Sequence, residues 1–313
     1  MKSTTLAADT TAWTLDEDGA WKLLRALAAR ASTGAAWIDS SGLRLDERGA
    51  AHRCAPERGL IVLRPDLEQG WEPGACAIDA AASTLLDLYA PLCVGRGSAS
   101  LVVAHLGQSL DGRVATVTGA SQFVTGPEDL RHTHRLRALF DAVVIGARTA
   151  ELDDPRLTTR LVPGRQPTRV VIDPQARLDP RLRLLSDGAA PTLLISARGA
   201  RTRDGGCGAH VELLQLASDG GALPARAVLD ALRACGLSRI FIEGGGITVS
   251  RFLQAGLLDR LQIAVAPKII GSGTPALQLP PIEHMADAIS TRCRRFLLGS
   301  DVLFDCDLRA EPW

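Results

Sequence analysis

An α/β architecture is predicted for this 313-residue chain by three features of its sequence. Short uninterrupted apolar runs recur from residue 101 onward, helix signals separate them, and a strand-turn-strand pattern closes the chain. Continuous apolar runs suit strands covered on both faces, and helices between them suit parallel crossovers. The expected fold is a mostly parallel sheet with helices on both faces and an antiparallel C-terminal edge. A small α+β region over residues 1–97 precedes it, and the second domain is expected over 98–313.

In the first region, Thr14-Leu-Asp-Glu17 fits a capping box, and Trp21, Leu23, Leu24, Leu27 and Ala28 continue at helical spacing. Gly59 to Arg64 reads as a short strand stopped by Pro65, and Ile78 to Leu88 as an Ala/Leu-rich helix. Trp13, Trp21 and Trp37 are expected to pack a small core. His52 and Cys54 lack further ligands at metal-binding spacing, so ordinary surface or core roles are expected. Gly95 to Ser100 reads as a linker.

In the second region the apolar runs are Leu101 to His105, Asp141 to Gly146, Arg169 to Asp173, Thr192 to Ser196, Arg239 to Glu243 and Leu261 to Ala266. Thr125-Gly-Pro-Glu128 reads as a second capping box opening a helix to about Phe140. Val228, Leu229 and Leu232 belong to a helix that Gly236 can end, and Ile247 to Gln254 to one that Gly256 can end. Arg294 to Leu308 contains two strand-like runs about Gly299-Ser-Asp, a hairpin pattern. No internal repeat or low-complexity tract occurs.

Composition narrows the function. Lys plus Arg and Asp plus Glu balance at 35 each, so no net field favours nucleic acid or an anionic membrane. The seven Cys are widely spaced with no C-x-x-C, which predicts free thiols rather than disulfides or a zinc site. The first residues lack an apolar core, and no apolar run approaches the roughly 18 residues of a membrane span. A cytoplasmic protein with no metal site is the expectation.

Chemistry concentrates in two stretches, Gly107 to Arg160 and Ile240 to Gly246. Glu243-Gly-Gly-Gly246 follows a strand and opens a helix, where close backbone approach and free N–H groups suit a phosphate. A bland strand-to-helix turn explains the same glycines, and G-x-G-x-x-G is absent. Asp153-Asp-Pro-Arg156-Leu-Thr-Thr-Arg160 is either a solvated loop or a phosphate grip with an acid for ribose hydroxyls. Ser109-Leu-Asp-Gly-Arg113 is either a turn or a polar cluster at a cleft mouth. G-x-S-x-G, H-E-x-x-H and the P-loop are all missing, which suits a protein that borrows reactivity from a cofactor.

Taken in order, S-L-D-G-R (109–113), G-A-S-Q-F-V-T-G (119–126), H-R-L-R (134–137), G-A-R-T-A-E-L-D-D-P-R-L-T-T-R (146–160), Q-P-T-R-V-V-I-D (166–173), I-E-G-G-G (242–246) and A-P-K-I-I-G (266–271) resemble the reductase domain of the bacterial riboflavin-pathway deaminase/reductase family. The resemblance covers about residues 100–308. It implies a dihydrofolate-reductase-like fold, a homodimer, NADPH as cofactor and a phosphorylated pyrimidine as substrate, whose ribosyl group is reduced to ribityl by hydride transfer to C1′.

By matching position, the resemblance gives the cofactor Gly107, Phe123, Thr149, Asp153, Pro174, Gly245, Gly246, Ile247 and Thr248. It gives the substrate Ser121, Arg137, Arg156, Arg160 and Glu243, with Arg137 and Arg160 as partners for the 5′-phosphate. Asp153, Glu243 and Arg113 are the catalytic candidates, and no proton donor stands out. Phe123 replaces a common Trp, Pro174 a common Ser, and Arg156 stands where an apolar residue can occur. The family's deaminase half, with its H-x-E and P-C-x-x-C zinc ligands, has no counterpart in 1–97, so no deaminase activity is expected.

Overall fold

The structure is a computed structural model that describes residues 14–33, 40–46, 48, 50–94, 100–122, 124–201 and 207–309. It divides into two compact units, Met1–Ala99 and Ser100–Trp313.

In the first unit, helices Glu17–Ser32 and Ala80–Cys93 pack together beside a four-stranded antiparallel sheet. The cap of the first helix is Asp16, whose carboxylate accepts the Gly19 N–H at 2.9 Å. This corrects the expected Thr14 cap: Thr14 lies in a two-residue strand paired with Ala77–Ile78, and the carboxylate nearer the first turn satisfies its free N–H group. Trp21 is buried edge-on against Tyr89, with ring centroids 6.1 Å apart. Trp13, Trp37 and most of the expected linker lie outside the described residues. His52 is bonded to Asp46 at 2.8 Å.

The second unit is built on a nine-stranded sheet. Its strands are β1 (Leu101–Ser109), β2 (Ala142–Gly146), β3 (Thr168–Ile172), β4 (Thr192–Ala197), β5 (Val211–Leu216), β6 (Arg239–Glu243), β7 (Arg260–Ala266), β8 (Arg292–Leu298) and β9 (Asp301–Asp307). The spatial order is β5-β4-β3-β2-β6-β1-β7-β9-β8. All pairings from β5 to β7 are parallel, and the last two are antiparallel. The class read from the sequence is therefore the class observed. β5 was not expected, because V-E-L-L-Q-L at an exposed edge mixes polar and apolar residues without clear alternation.

Helices cover the two faces: α1 (Pro127–Leu139), α2 (Ala147–Asp153), α3 (Ala225–Ala234) and α4 (Gly246–Gln254). Strand alternation assigns the faces. Val102, Ala104 and Leu106 of β1 share a core with Val228 and Leu232 of α3 and with Val249 and Phe252 of α4. The opposite face carries Phe241 of β6, which meets Phe140 at the end of α1 with centroids 6.0 Å apart. The expected Thr125 cap of α1 is also corrected. Gly126 occupies the cap with Pro127 after it, and the Gly126 N–H donates to Asp301 of the C-terminal hairpin at 2.6 Å.

One row on the α1 face is polar instead. Cross-strand register places Glu243, His105, Gln262, Asp305 and Arg294 side by side on β6, β1, β7, β9 and β8. Gln262 donates to Asp305 at 3.1 Å and meets His132 of α1 at 3.0 Å, while Arg260 and Arg294 donate to Asp305 at 2.7 and 2.9 Å. Burial alone would push the Asp305 carboxyl up; Arg260 and Arg294 reverse this and hold it below the usual range. Asp129 lies 3.0 Å from His105. Burial disfavours the charged imidazole, but Asp129 outweighs it and raises the His105 pKa.

Candidate active site

A cleft of about 650 Å³ opens at the carboxyl ends of β2, β3 and β6, where crossovers leave the sheet in different directions. Its floor is the turn from β6 into α4. Gly244 and Gly245 have φ of 71° and 74°, the left-handed region that a side chain would strain. A Cβ on Gly245 would stand 2.7 Å from the Thr149 hydroxyl, so the turn can approach Thr149 of α2 this closely only as glycine. The free N–H groups of the first turn of α4 are left for an anion.

Thr149 and Asp153 lie along α2 on one wall, with Pro174 after β3 and Ile247 and Thr248 on α4. The acidic-basic stretch is thus partly helical: Asp153 ends α2, and Asp154 turns the chain in a left-handed conformation. Ser121 donates to Asp153 at 2.9 Å across the mouth. Of the expected cofactor residues, Thr149, Asp153, Pro174, Gly245, Gly246, Ile247 and Thr248 line the cleft. Gly107 does not; it faces α1, where a Cβ would meet Thr125 at 2.8 Å. Phe123 lies outside the described residues.

Glu243 lines the cleft and Arg137 sits behind it. Arg137 is 4% exposed and donates through Nε to Glu243 at 2.7 Å, through Nη2 to the other carboxylate oxygen, and through Nη1 to the Thr158 carbonyl at 2.9 Å. The expectation of two arginines open to a phosphate is therefore revised for Arg137. It lies on the inner face of α1, and a guanidinium buried there needs a carboxylate partner. Arg160 and Arg156 remain exposed, with no hydrogen bond or ion pair on either side chain among the described residues. Partial burial and the nearby Arg137 lower the Arg160 pKa, which marks a local excess of positive charge.

Arg113 is held away from this wall, its Nε donating to the Gly271 carbonyl at 2.9 Å. The turn before it is a closed unit. Asp111 accepts from Ser109 Oγ at 2.5 Å and from the N–H groups of Ile270 and Gly271, which hold its carboxyl at about 2. Sequence reasoning missed Leu223 and Ala222, which close the cleft from the segment before α3, because that segment bears no motif. It also missed His134, whose ring accepts the Arg160 N–H at 2.9 Å. The H-R-L-R pattern held that signal, but only its last residue was given a role.

The RibD C-terminal domain model matches residues 100–298. The chain belongs to that family. Over 211 residues it is 35% identical to the 2,5-diamino-6-ribosylamino-4(3H)-pyrimidinone 5′-phosphate reductase of Methanothermobacter thermautotrophicus, covering 65% of this chain and 96% of that protein. It is 34% identical over 197 residues to the riboflavin biosynthesis protein RibD of Escherichia coli, 58% of this chain and 53% of that one. The chain thus spans about half the length of that RibD protein. The RibD structure from Acinetobacter baumannii superposes with a TM-score of 0.61 at 23% identity, covering 74% of this chain and 65% of the other, a likeness of fold. Within the RibD C-terminal domain fold, the cleft and both arginine-bearing segments fall inside the matched residues.

Proposed function

We propose that this chain is an NADPH-dependent reductase of the riboflavin pathway, which converts the ribosyl group of a phosphoribosylamino-pyrimidine to ribityl. One observation carries the reading. A dinucleotide-sized cleft with an open helix N-terminus is lined by Glu243, which is paired with Arg137 and acts electrostatically on the exposed Arg160. Its volume falls within the roughly 300–1,000 Å³ of small-molecule sites.

The residues present fit the cofactor. The first turn of α4 would hold the pyrophosphate, Thr149 and Asp153 would hold hydroxyl groups, and Arg148, with Arg177 on its ion pair to Glu151, would face a 2′-phosphate. When bound, NADPH supplies hydride to the sugar C1′, which becomes electrophilic on ring opening. The chain's own residues orient the acceptor. Glu243, fixed by Arg137, offers one carboxylate to substrate hydroxyl or amino groups. Ser121 and Asp153 present a bonded polar pair at the mouth. Arg160 and Arg156 hold the 5′-phosphate.

Two substrates share that phosphoribosylamino group. One is the 5-amino-6-(5-phosphoribosylamino)uracil of the bifunctional Thermotoga maritima protein's reductase activity. The other is the diamino-pyrimidinone on which the Methanothermobacter relative acts, favoured by that relative's near-complete coverage. The test is loss of dihydronicotinamide absorbance with each compound, for wild type, Asp153→Asn and Arg160→Ala. Turnover that falls in both variants supports the reading; NADPH binding with neither compound consumed overturns the substrate class, and no NADPH binding overturns the enzyme.

A further inference from the structure

The backbone that carries Arg160 is secured from three sides, and none of the anchors uses the side chain of Arg156 or Arg160. Arg137 donates to the Thr158 carbonyl at 2.9 Å. Gln166 brackets Thr159, accepting its N–H at 2.7 Å and donating to its carbonyl at 2.8 Å. His134 Nδ1 accepts the N–H of Arg160 at 2.9 Å and, more weakly, that of Leu161 at 3.4 Å. Leu157, just before these anchors, has φ of 51°, a conformation a branched residue keeps only where its surroundings impose it. The segment is therefore held in one shape with Arg156 and Arg160 facing solvent.

His134 itself is fully buried on α1. Because Nδ1 accepts, the ring proton sits on Nε2, which is buried with no hydrogen-bond partner among the described residues. An unpaired buried donor is destabilising, so a residue without it would make a better core. Leucine would pack on α1 without that penalty, but it would leave the Arg160 N–H without its acceptor. The charged groups facing the ring are Arg137 on its own helix and Arg160 on the segment.

We propose that His134 is a positioning residue for substrate phosphate: its imidazole presets the backbone from which Arg160 reaches that group. The proposal rests on the reading of Arg160 as the phosphate ligand. Burial, with Arg137 and Arg160 nearby, holds His134 at about 3, so the ring stays an acceptor throughout the neutral range. Substrate KM then shows no limb near the ordinary histidine value of about 6.5.

The experiment uses the full chain with His134→Leu, His134→Gln and Arg160→Ala, reading substrate KM, kcat, NADPH affinity and competitive inhibition by ribose 5-phosphate. His134→Leu should raise substrate KM and the ribose 5-phosphate inhibition constant about tenfold, a loss of ground-state and transition-state binding together. kcat and NADPH affinity should stay unchanged. His134→Gln, whose amide oxygen still accepts, should recover most of the loss. Gln166→Leu, at an exposed position, gives the same signature if His134→Leu does not fold. Equal losses in kcat and NADPH affinity, or no rescue by glutamine, would mark a purely structural histidine and overturn the proposal. So would a rise in NADPH KM alone, which would put Arg160 on the cofactor. If Arg160→Ala raises substrate KM and His134→Leu does not, the proposal fails and the phosphate reading stands. If Arg160→Ala also has no effect, the phosphate reading itself fails.

Discussion

At the residue scale the Glu243–Arg137 pair governs both stability and the site. Glu243→Leu leaves Arg137 buried with only the Thr158 carbonyl, and breaking a buried pair from one side costs about 3 kcal/mol. Urea unfolding should register that loss, and Glu243→Gln, which keeps an acceptor, should register less. Gly246 is limited differently. A Cβ there would press into the Ala276 carbonyl oxygen, so Gly246→Ala should lose about 1–3 kcal/mol by overpacking, measured by thermal unfolding, and weaken NADPH binding. Both positions were legible in the sequence as E-G-G-G. Their partners were not, because Arg137 lies more than a hundred residues away and pairing across that distance is set by packing.

At the scale of elements, α1 makes the protein sensitive to acid. Burial holds His132 and His134 at about 3, so the folded chain keeps both rings neutral while the unfolded chain protonates them below about 6.5. The unfolded state then binds two more protons, and stability falls with falling pH by about 2.7 kcal/mol per unit. His105 works in the opposite sense. Its raised pKa gives stability that is present below 6.5 and lost as pH rises through the folded value. Asp129, at about 2, adds a loss only below about pH 4. Unfolding free energies measured between about pH 6 and pH 5 should follow the two-histidine slope, and His132→Gln should flatten it by one proton. The helix was placed from its sequence to within a residue or two, while its cap was misassigned. Gly126 offers no side chain to the first-turn N–H groups, and Pro127 at the first position removes one of them outright.

At the scale of the whole molecule, the residues proposed to act lie between Ser121 and Thr248, within one of the two compact units. A fragment from Ser100 to Trp313 is expected to unfold cooperatively and to keep the reductase kcat, which urea melts and turnover of the fragment would check. The parallel sheet was readable because strands buried on both faces are written as unbroken apolar runs. β5 was not, since an edge strand needs no such run. The polar row under α1 was invisible as well: His105, Gln262 and Asp305 acquire meaning only when register sets them side by side. That row constrains how the chain can vary. From Gln262 to Asp305 to Arg294 each member bonds the next, so losing one leaves a neighbour buried and unpaired. Single changes at these positions are penalised, and a lineage can cross to an apolar sheet only by exchanging neighbouring members together. The mutational freedom of the edge strand is thereby tied to that of Gln262 on β7.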